Sequence, residues 1–414
     1  MSSDSHSSSA PWRQSRSSRW CFAVTALCVL TAASGCSRFR AHSQTQYVYV
    51  IAKNSILRDR VAAVSNRTGE VTNGEKLEVL ERDRRFVKVK TPKGEIGWLE
   101  ARLTADQQLA DQFDALRKEH AKDPVVATAS ATDDVYLHIL PGRETDRFYR
   151  LSGGDAMSLL ERATVPKPLP PGVAVADANH ASGSDASAAP PPPAMEDWWL
   201  VRGPHGETGW IYSRLIDVNV PDAIARYAEG QRIVGAYVLT RVEDPDAVTS
   251  QAGNGQATTV GSGPGANAGT PASTDIPEYV TVVNSWKSGL PYDFDEVRVF
   301  IWNIKKHRYE TSFREHNIEG YLPVKLFKSK DPYGKGPDAA QELPTFSYNV
   351  LAADAPQPTP DPKTGEIKPA KTITKTYRLE GNICRRILPP NTPPPEEAHP
   401  TPEPKKEKAG KRKR

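Results

Sequence analysis

Cysteine is scarce in this chain. There are four in 414 residues, and three of them, Cys21, Cys28 and Cys36, stand in the first 36 positions. A disulfide framework is thereby excluded, and any fold must hold by core packing. No C-x-x-C, H-E-x-x-H or Gly-rich phosphate loop occurs, so no metal site, nucleotide site or cofactor is supported. A long apolar run is also missing. The best, Trp20–Ala33, counts fourteen residues, short of the roughly 20 that a membrane-spanning helix needs. Net charge is only +4, but it is unevenly placed: the last eleven residues, PKKEKAGKRKR, hold seven Lys or Arg against one Glu. The body between the two ends is mildly acidic. What is abundant is Pro (36) and Gly (28), clustered in blocks that bury too little apolar surface to offset the entropy of ordering. The compact material is therefore well short of the full length.

Arg13, Arg16 and Arg19 precede the fourteen-residue run, the layout of an export signal. Ser34-Gly35-Cys36 follows and resembles the lipobox of bacterial lipoproteins. That resemblance implies a signal over 1–36, acylation of the Cys36 thiol and a membrane contact through the N-terminal lipid. Ser37 implies the periplasmic face of the outer membrane. Ordinary cleavage or an uncleaved anchor is the alternative. Cys384 is then the one cysteine with a free thiol left in the mature chain. Export also argues against nucleic acid as the partner of the basic tail; anionic lipid or wall polymer is a further option, and a solvated tail over 391–414 is the plain reading.

One phrase is written twice. GEIGWLEARL at 94–103 returns as GETGWIYSRL at 206–215. NGEKLEVLER at 73–82 aligns with GGDAMSLLER at 153–162, and RFVKVKTPK at 85–93 with DWWLVRGPH at 197–205. Leu57 precedes Gly74 by the interval at which Leu137 precedes Gly154. The chain therefore contains a duplicated module of about 55 residues, the second copy carrying an insertion over 163–196. VKVK alternates with period two, as a half-buried strand does. Pro92-Lys93-Gly94 is hairpin chemistry. Gly97 and Gly209, each before a Trp, mark a bulge or a close backbone approach.

These features resemble the bacterial SH3-like domain: a glycine before an aliphatic strand, an aromatic strand, then G-x-x-G-W-[IL]. The resemblance spans about 50–103 and 134–217. It implies two small β-barrels, at 47–104 and 134–217, and non-catalytic binding of cell-wall peptide or of an envelope protein. If Val89 and Val201 point inward, Val87 and Trp199 do too, and Phe86 and Trp198 point outward. By resemblance the ligand-binding positions are Trp198, Tyr212 and Phe86, with Phe86 standing where a groove Trp is usual. The alternative is that Trp198 packs against the insertion or a third domain.

LTADQQLADQFDALRKEHAK reads as an amphipathic helix over 105–122, with a Thr104/Gln107 capping pattern and apolar anchors Leu109, Phe113 and Leu116 on one face. PKPLPPG and APPPPA make the insertion a solvated linker. Residues 219–390 read as an all-β unit with flexible stretches at 244–276 and 353–370, and with a hairpin turn near Asn303–Lys306. Asp293 and Asp295 read as turn or solvation residues. Cys384 is the one thiol nucleophile on offer, with no evident base; a small buried apolar residue is the simpler reading.

The chain therefore reads as mainly β: two SH3-like barrels joined by a helix, then a C-terminal all-β domain. The function expected is that of a lipid-anchored envelope protein that binds peptidoglycan peptides or an envelope partner. A purely structural lipoprotein is the second reading. A cell-wall hydrolase with its site in 277–390 is the third. The sequence leaves the oligomeric state open.

Overall fold

The structure is a computed structural model and describes residues 45–168, 193–246 and 274–401. The export segment with Cys36, most of the Pro/Ala insertion, the Gly/Ala/Ser linker and the basic run lie outside the described residues.

Period-two alternation builds the first sheet. In β5 (Phe86–Lys90), Val87 and Val89 are buried and their neighbours are not. They pack with Val48, Val50, Leu57, Val71, Leu77 and Leu99. The other strands are β1 (Tyr47–Val50), β2 (Asn54–Arg58), β3 (Arg67–Thr72), β4 (Lys76–Asp83), β6 (Ile96–Glu100) and β7 (Thr104–Asp106). Their order is β3-β2-β6-β5-β4-β1-β7, all neighbours antiparallel.

The second sheet repeats the first strand for strand. It consists of β8 (Ala127–Ala131), β9 (Val135–His138), β10 (Arg147–Leu151), β11 (Ala156–Pro166), β12 (Met195–Arg202), β13 (Thr208–Tyr212) and β14 (Ile216–Val218). The order β10-β9-β13-β12-β11-β8-β14 is the same topology. Even the irregularities coincide: β4 shifts register between Val79 and Glu81 and β11 between Leu159 and Glu161. The hairpin turns match as well, with Gly94 at φ 89° and Gly206 at φ 87°, in the left-handed region that glycine enters freely. The expected closed barrels are not formed. The end strands β3 and β7, like β10 and β14, are unpaired with each other, so each module is an open seven-stranded sheet.

The repeated Gly-Trp has a steric cause. A Cβ on Gly97 would lie 2.7 Å from the Leu57 Cβ, and one on Gly209 2.8 Å from the Leu137 Cβ. Both distances are below any real Cβ contact. The missing side chain lets β6 reach β2, pairing Trp98 with Arg58, and lets β13 reach β9, pairing Trp210 with His138.

Helix α1 (Gln107–Glu119) connects the two sheets. Its cap differs from the Thr104/Gln107 pattern. Thr104 belongs to β7, and Asp106 caps the helix by accepting the Leu109 N–H at 2.8 Å. Phe113 is fully buried in the second sheet's core, against Phe148 and Tyr149, with ring centroids 5.5 and 5.6 Å away. Asn73 of the first sheet donates to Phe148 O at 3.1 Å and accepts from Arg150 N at 3.0 Å.

After a short helix, α2 (Asp222–Ala225), comes the third sheet: β15 (Arg232–Glu243), β16 (Asp275–Asn284), β17 (Phe294–Asn303), β18 (Arg308–Ser329), β19 (Leu343–Leu351), β20 (Thr372–Glu380) and β21 (Ile383–Arg386). It is an antiparallel meander in chain order. The β17–β18 turn falls at Asn303–Lys306 as expected. Three segments read as flexible are more ordered than expected. Residues 163–166 and 195–196 belong to the paired strands β11 and β12. The 353–370 loop docks on the second sheet, where Thr164 N donates to Gly365 O at 2.7 Å. Residues 391–401 run along the third sheet, where Glu397 pairs with the buried Lys375 at 2.8 Å.

The second and third sheets are locked by Arg162. Its Nε donates to Asp293 at 2.8 Å, its Nη2 to the carbonyls of Leu290 and Tyr292, and its Nη1 lies 3.4 Å from Asp197. Burial works against its charge, but the two carboxylates outweigh it and hold the guanidinium more firmly protonated than usual. Asp293, read from the sequence as a turn residue, is thus an interface ligand. Arg162→Ala leaves two shielded carboxylates uncompensated, which costs about 3–5 kcal/mol. Its thermal unfolding midpoint, followed by calorimetry, is expected to fall clearly below that of the parent; an unchanged midpoint would remove this network from the account of how the sheets are joined.

Candidate functional site

Each module builds a cleft at the same place, walled by equivalent positions of its own sheet. In the first module, Phe86 pairs with Glu100 across β5–β6, beside the Trp98–Arg58 bridge. In the second, Trp198 pairs with Tyr212, beside the Trp210–His138 bridge. The loop between the second and third strands of each module, 59–66 or 139–146, overhangs this surface.

In the first module the cleft is open. It measures about 730 Å³ and is lined by Ile56, Arg58, Val61, Phe86, Trp98 and Glu100, among others. Ile56 and Val61 are 43% and 41% exposed, while Phe86 and Trp98 are half-buried. Apolar groups thus face water around a two-ring floor. The overhanging loop is tied at its base. Asp59 accepts from Asn66 N at 2.9 Å and Asn66 Nδ2 at 3.0 Å, and this amide contact holds its carboxyl below the usual range. Arg58 donates to Ser65 at 2.9 Å, and Arg102 pairs with Glu100. The Lys88 ammonium sits 5.8 Å from the Trp98 ring centroid.

In the second module the same cleft is filled. The predicted alternation holds: Trp199 and Val201 enter the main core, and Trp198 and Leu200 face the other way. That other face is covered rather than open. Trp198 is only 2% exposed, packed with Leu160, Ala163, Leu200 and Trp210 and flanked by His138 at 5.1 Å and Tyr212 at 5.7 Å between ring centroids. Burial lowers the His138 pKa. Over the top lies Arg143 from the overhanging loop, its guanidinium 4.8 Å from the Tyr212 centroid, with Nε donating to both carboxylate oxygens of the buried Glu196 at 2.9 Å and Nη2 2.8 Å from Oε1. Of the three residues singled out by resemblance, Phe86 therefore lines an open surface, Tyr212 is half-covered and Trp198 is shut in. Sequence reasoning missed Trp98 as a wall of the first cleft, because the Gly-Trp pattern reads as core. Ile56, on β2, and Val61, in the loop after it, carry no motif at all.

A second cavity, about 660 Å³, lies on the third sheet between Gln231, Asp295, Glu296, Arg314, His316 and Pro400. It has no aromatic wall, and its Glu296 is already engaged by Arg298 and Arg314. His307 and His316 do not meet: His307 bonds Asp244 at 2.8 Å, and His316 lies opposite Glu296. Among the described residues no cluster of His, Cys, Asp and Glu is arranged to hold a metal, and no helix is long and apolar enough to cross a membrane.

Residues 57–105 match the family model of the bacterial SH3 domain. That stretch runs from β2 to β7 and contains Phe86, Trp98, Glu100 and the whole 59–66 loop. No curated protein matches the chain. Among solved structures, one titled "Structure of NlpC2 from Trichomonas vaginalis" is matched at 8% identity with a TM-score of 0.14, over 45% of this chain. The chain spans 57% of that protein's length.

Cys384 packs beside the third core, and its polar neighbour is Ser312 Oγ at 3.9 Å. Burial pushes the thiol up to about 12, the opposite of the depression that makes a nucleophilic thiolate. Alkylation of the native chain by iodoacetamide at pH 8, read by peptide mass spectrometry, is expected to label Cys384 far more slowly than in the urea-unfolded chain. Equal rates would mean a thiolate poised for chemistry.

Proposed function

We propose that this chain is a non-catalytic binding protein of the bacterial cell envelope, held to the membrane through a lipid on Cys36, and that its first module is the reader. The ligand is a peptide of the peptidoglycan or a segment of an envelope protein. The observation that carries the reading is the open, aromatic-floored cleft, whose two rings and overhanging loop lie inside the stretch that matches the bacterial SH3 domain. Such a site suits a chain-like ligand. Phe86 and Trp98 offer flat apolar area at low entropic cost, and Glu100, Arg58 and the strand edges offer polar contacts. The family match points to cell-wall-related binding outside the cytoplasm, in keeping with the export pattern at the N-terminus.

A scaffolding role is the second reading, favoured by one specific observation: the second module's cleft is filled by its own side chains, and its sheet is locked to the third. On that reading the second module serves as a spacer even while the first binds. A hydrolase working through Cys384 finds no support in the raised thiol pKa or in the Ser312 neighbour.

Co-sedimentation of the full chain with purified peptidoglycan sacculi tests the first reading. The parent chain is expected to pellet with sacculi. Phe86→Ala and Trp98→Ala are each expected to weaken binding by about 2 kcal/mol, as truncating a central aromatic anchor does, with Trp302→Phe as an aromatic control far from the cleft. Equal binding by all would place the contact elsewhere, and no binding by the parent would exclude the wall and leave an envelope protein as the ligand.

A further inference from the structure

The filled cleft of the second module contains two groups that its own fold leaves in an unusual state. The indole N–H of Trp198 is shielded from solvent and has no hydrogen-bond partner among the described residues. A buried donor without an acceptor costs about 1–3 kcal/mol, so a fold tends to supply one. Two residues earlier on the same strand, Glu196 is 3% exposed and its charge is met by Arg143, whose own side chain is 50% exposed. Residues two apart on a strand share a face, so the orphan donor and the buried carboxylate look into one cleft, with the Tyr212 ring beside both.

The geometry points to a second, latched peptide site, in which the Arg143 guanidinium occupies the place of a ligand's cation. A buried carboxylate and an aromatic face together form a cation seat. Arg143 reaches that seat from the 139–146 loop rather than from the strands that build it. A ligand that displaces Arg143 must bring a cation of its own, since Glu196 cannot be left buried and uncompensated. It must also bring an acceptor for the Trp198 N–H. A peptide carrying an ammonium side chain next to a backbone carbonyl has both. The equivalent positions of the first module are Phe86, which has no donor, and Glu100, which has no ring. The two clefts therefore select different ligands, and this proposal stands whether or not the first cleft reads the wall.

The test uses the full chain in a Phe86→Ala background, so that binding at the first cleft is weakened, and reads only the second cleft through its own indole. The probe is acetyl-Ala-Lys-Ala-amide, with its norleucine counterpart as control. Binding is followed through the indole N–H resonance of Trp198, assigned by its loss in Trp198→Phe. With Arg143→Ala added, the lysine peptide is expected to shift that resonance downfield and to bind about tenfold tighter than to the latched chain, because the closed population no longer taxes affinity. The norleucine peptide is expected to do neither. If Arg143→Ala does not fold, Arg143→Lys keeps a cation near Glu196 with a weaker hold on Tyr212, and the lysine peptide is then expected to bind several-fold tighter than to the Arg143 chain. Absence of any shift in the unlatched chains, or equal response to both peptides, overturns the latched site and leaves Arg143 as a structural side chain.

Discussion

A missing side chain governs the first two sheets. In each, one strand must come so close to another that a single methyl group would collide with the facing leucine, and glycine at 97 and 209 is what admits it. That approach decides more than the backbone. It sets Trp98 against Arg58 and Trp210 against His138, and so brings the second strand, with the loop that follows it, over the face of the fifth and sixth. The cleft exists because of this contact. The Gly-Trp phrase is therefore written twice for a steric reason common to both modules, and the difference between them has to be sought in the residues around it.

Those residues explain why one scaffold yields an open surface and a filled one. Where the first module has Arg58, Phe86, Lys88 and Glu100, the second has His138, Trp198, Leu200 and Tyr212 at the same pairing positions. Long charged side chains extend into water and leave space at their bases. Rings and a leucine fill that space and pack on one another, as the short centroid distances around Trp198 record. Arg143 then closes what remains by stacking on Tyr212, a contact that Glu100 cannot offer.

Local pattern made much of this legible in the sequence. The alternation of Val87 and Val89, the turn at Gly94 and the amphipathic face through Phe113 all depend on residues near one another in the chain, and the structure realises each of them. What was not legible depends on partners far away in sequence. Nothing near Asp293 indicates that its carboxylate meets Arg162, 131 residues earlier. Nothing in a Pro-rich tail indicates that Glu397 answers the buried charge of Lys375. The position of Trp198 belongs to the same class: period two correctly placed it opposite the core, but whether a side chain on that face meets water is decided by the 139–146 loop and neighbouring strands. The helix cap shows the limit at short range: Asp106 stands immediately before the first helical residue and accepts the Leu109 N–H, while the expected Thr104 lies two residues further back and its hydroxyl donates to Ala101 O.

The same long-range contacts bear on how two clefts could work together. A flexible tether would let two weak sites search for one ligand, and their joint affinity would follow from an effective concentration set by linker length. Here the connection is stiff. Helix α1 drives Phe113 into the second core, Asn73 bonds across to Phe148 and Arg150, and the described residues from Tyr47 onward form a single compact unit. A stiff connection makes cooperation between sites conditional on the spacing of the ligand: a chain that carries a group suited to each cleft, at the distance between them, would gain from both, and one with any other spacing would be held by one cleft alone. On the proposed reading, the first cleft is open and the second waits on displacement of Arg143, so a chain-like ligand would engage Phe86 and Trp98 first and the second cleft only when its loop yields.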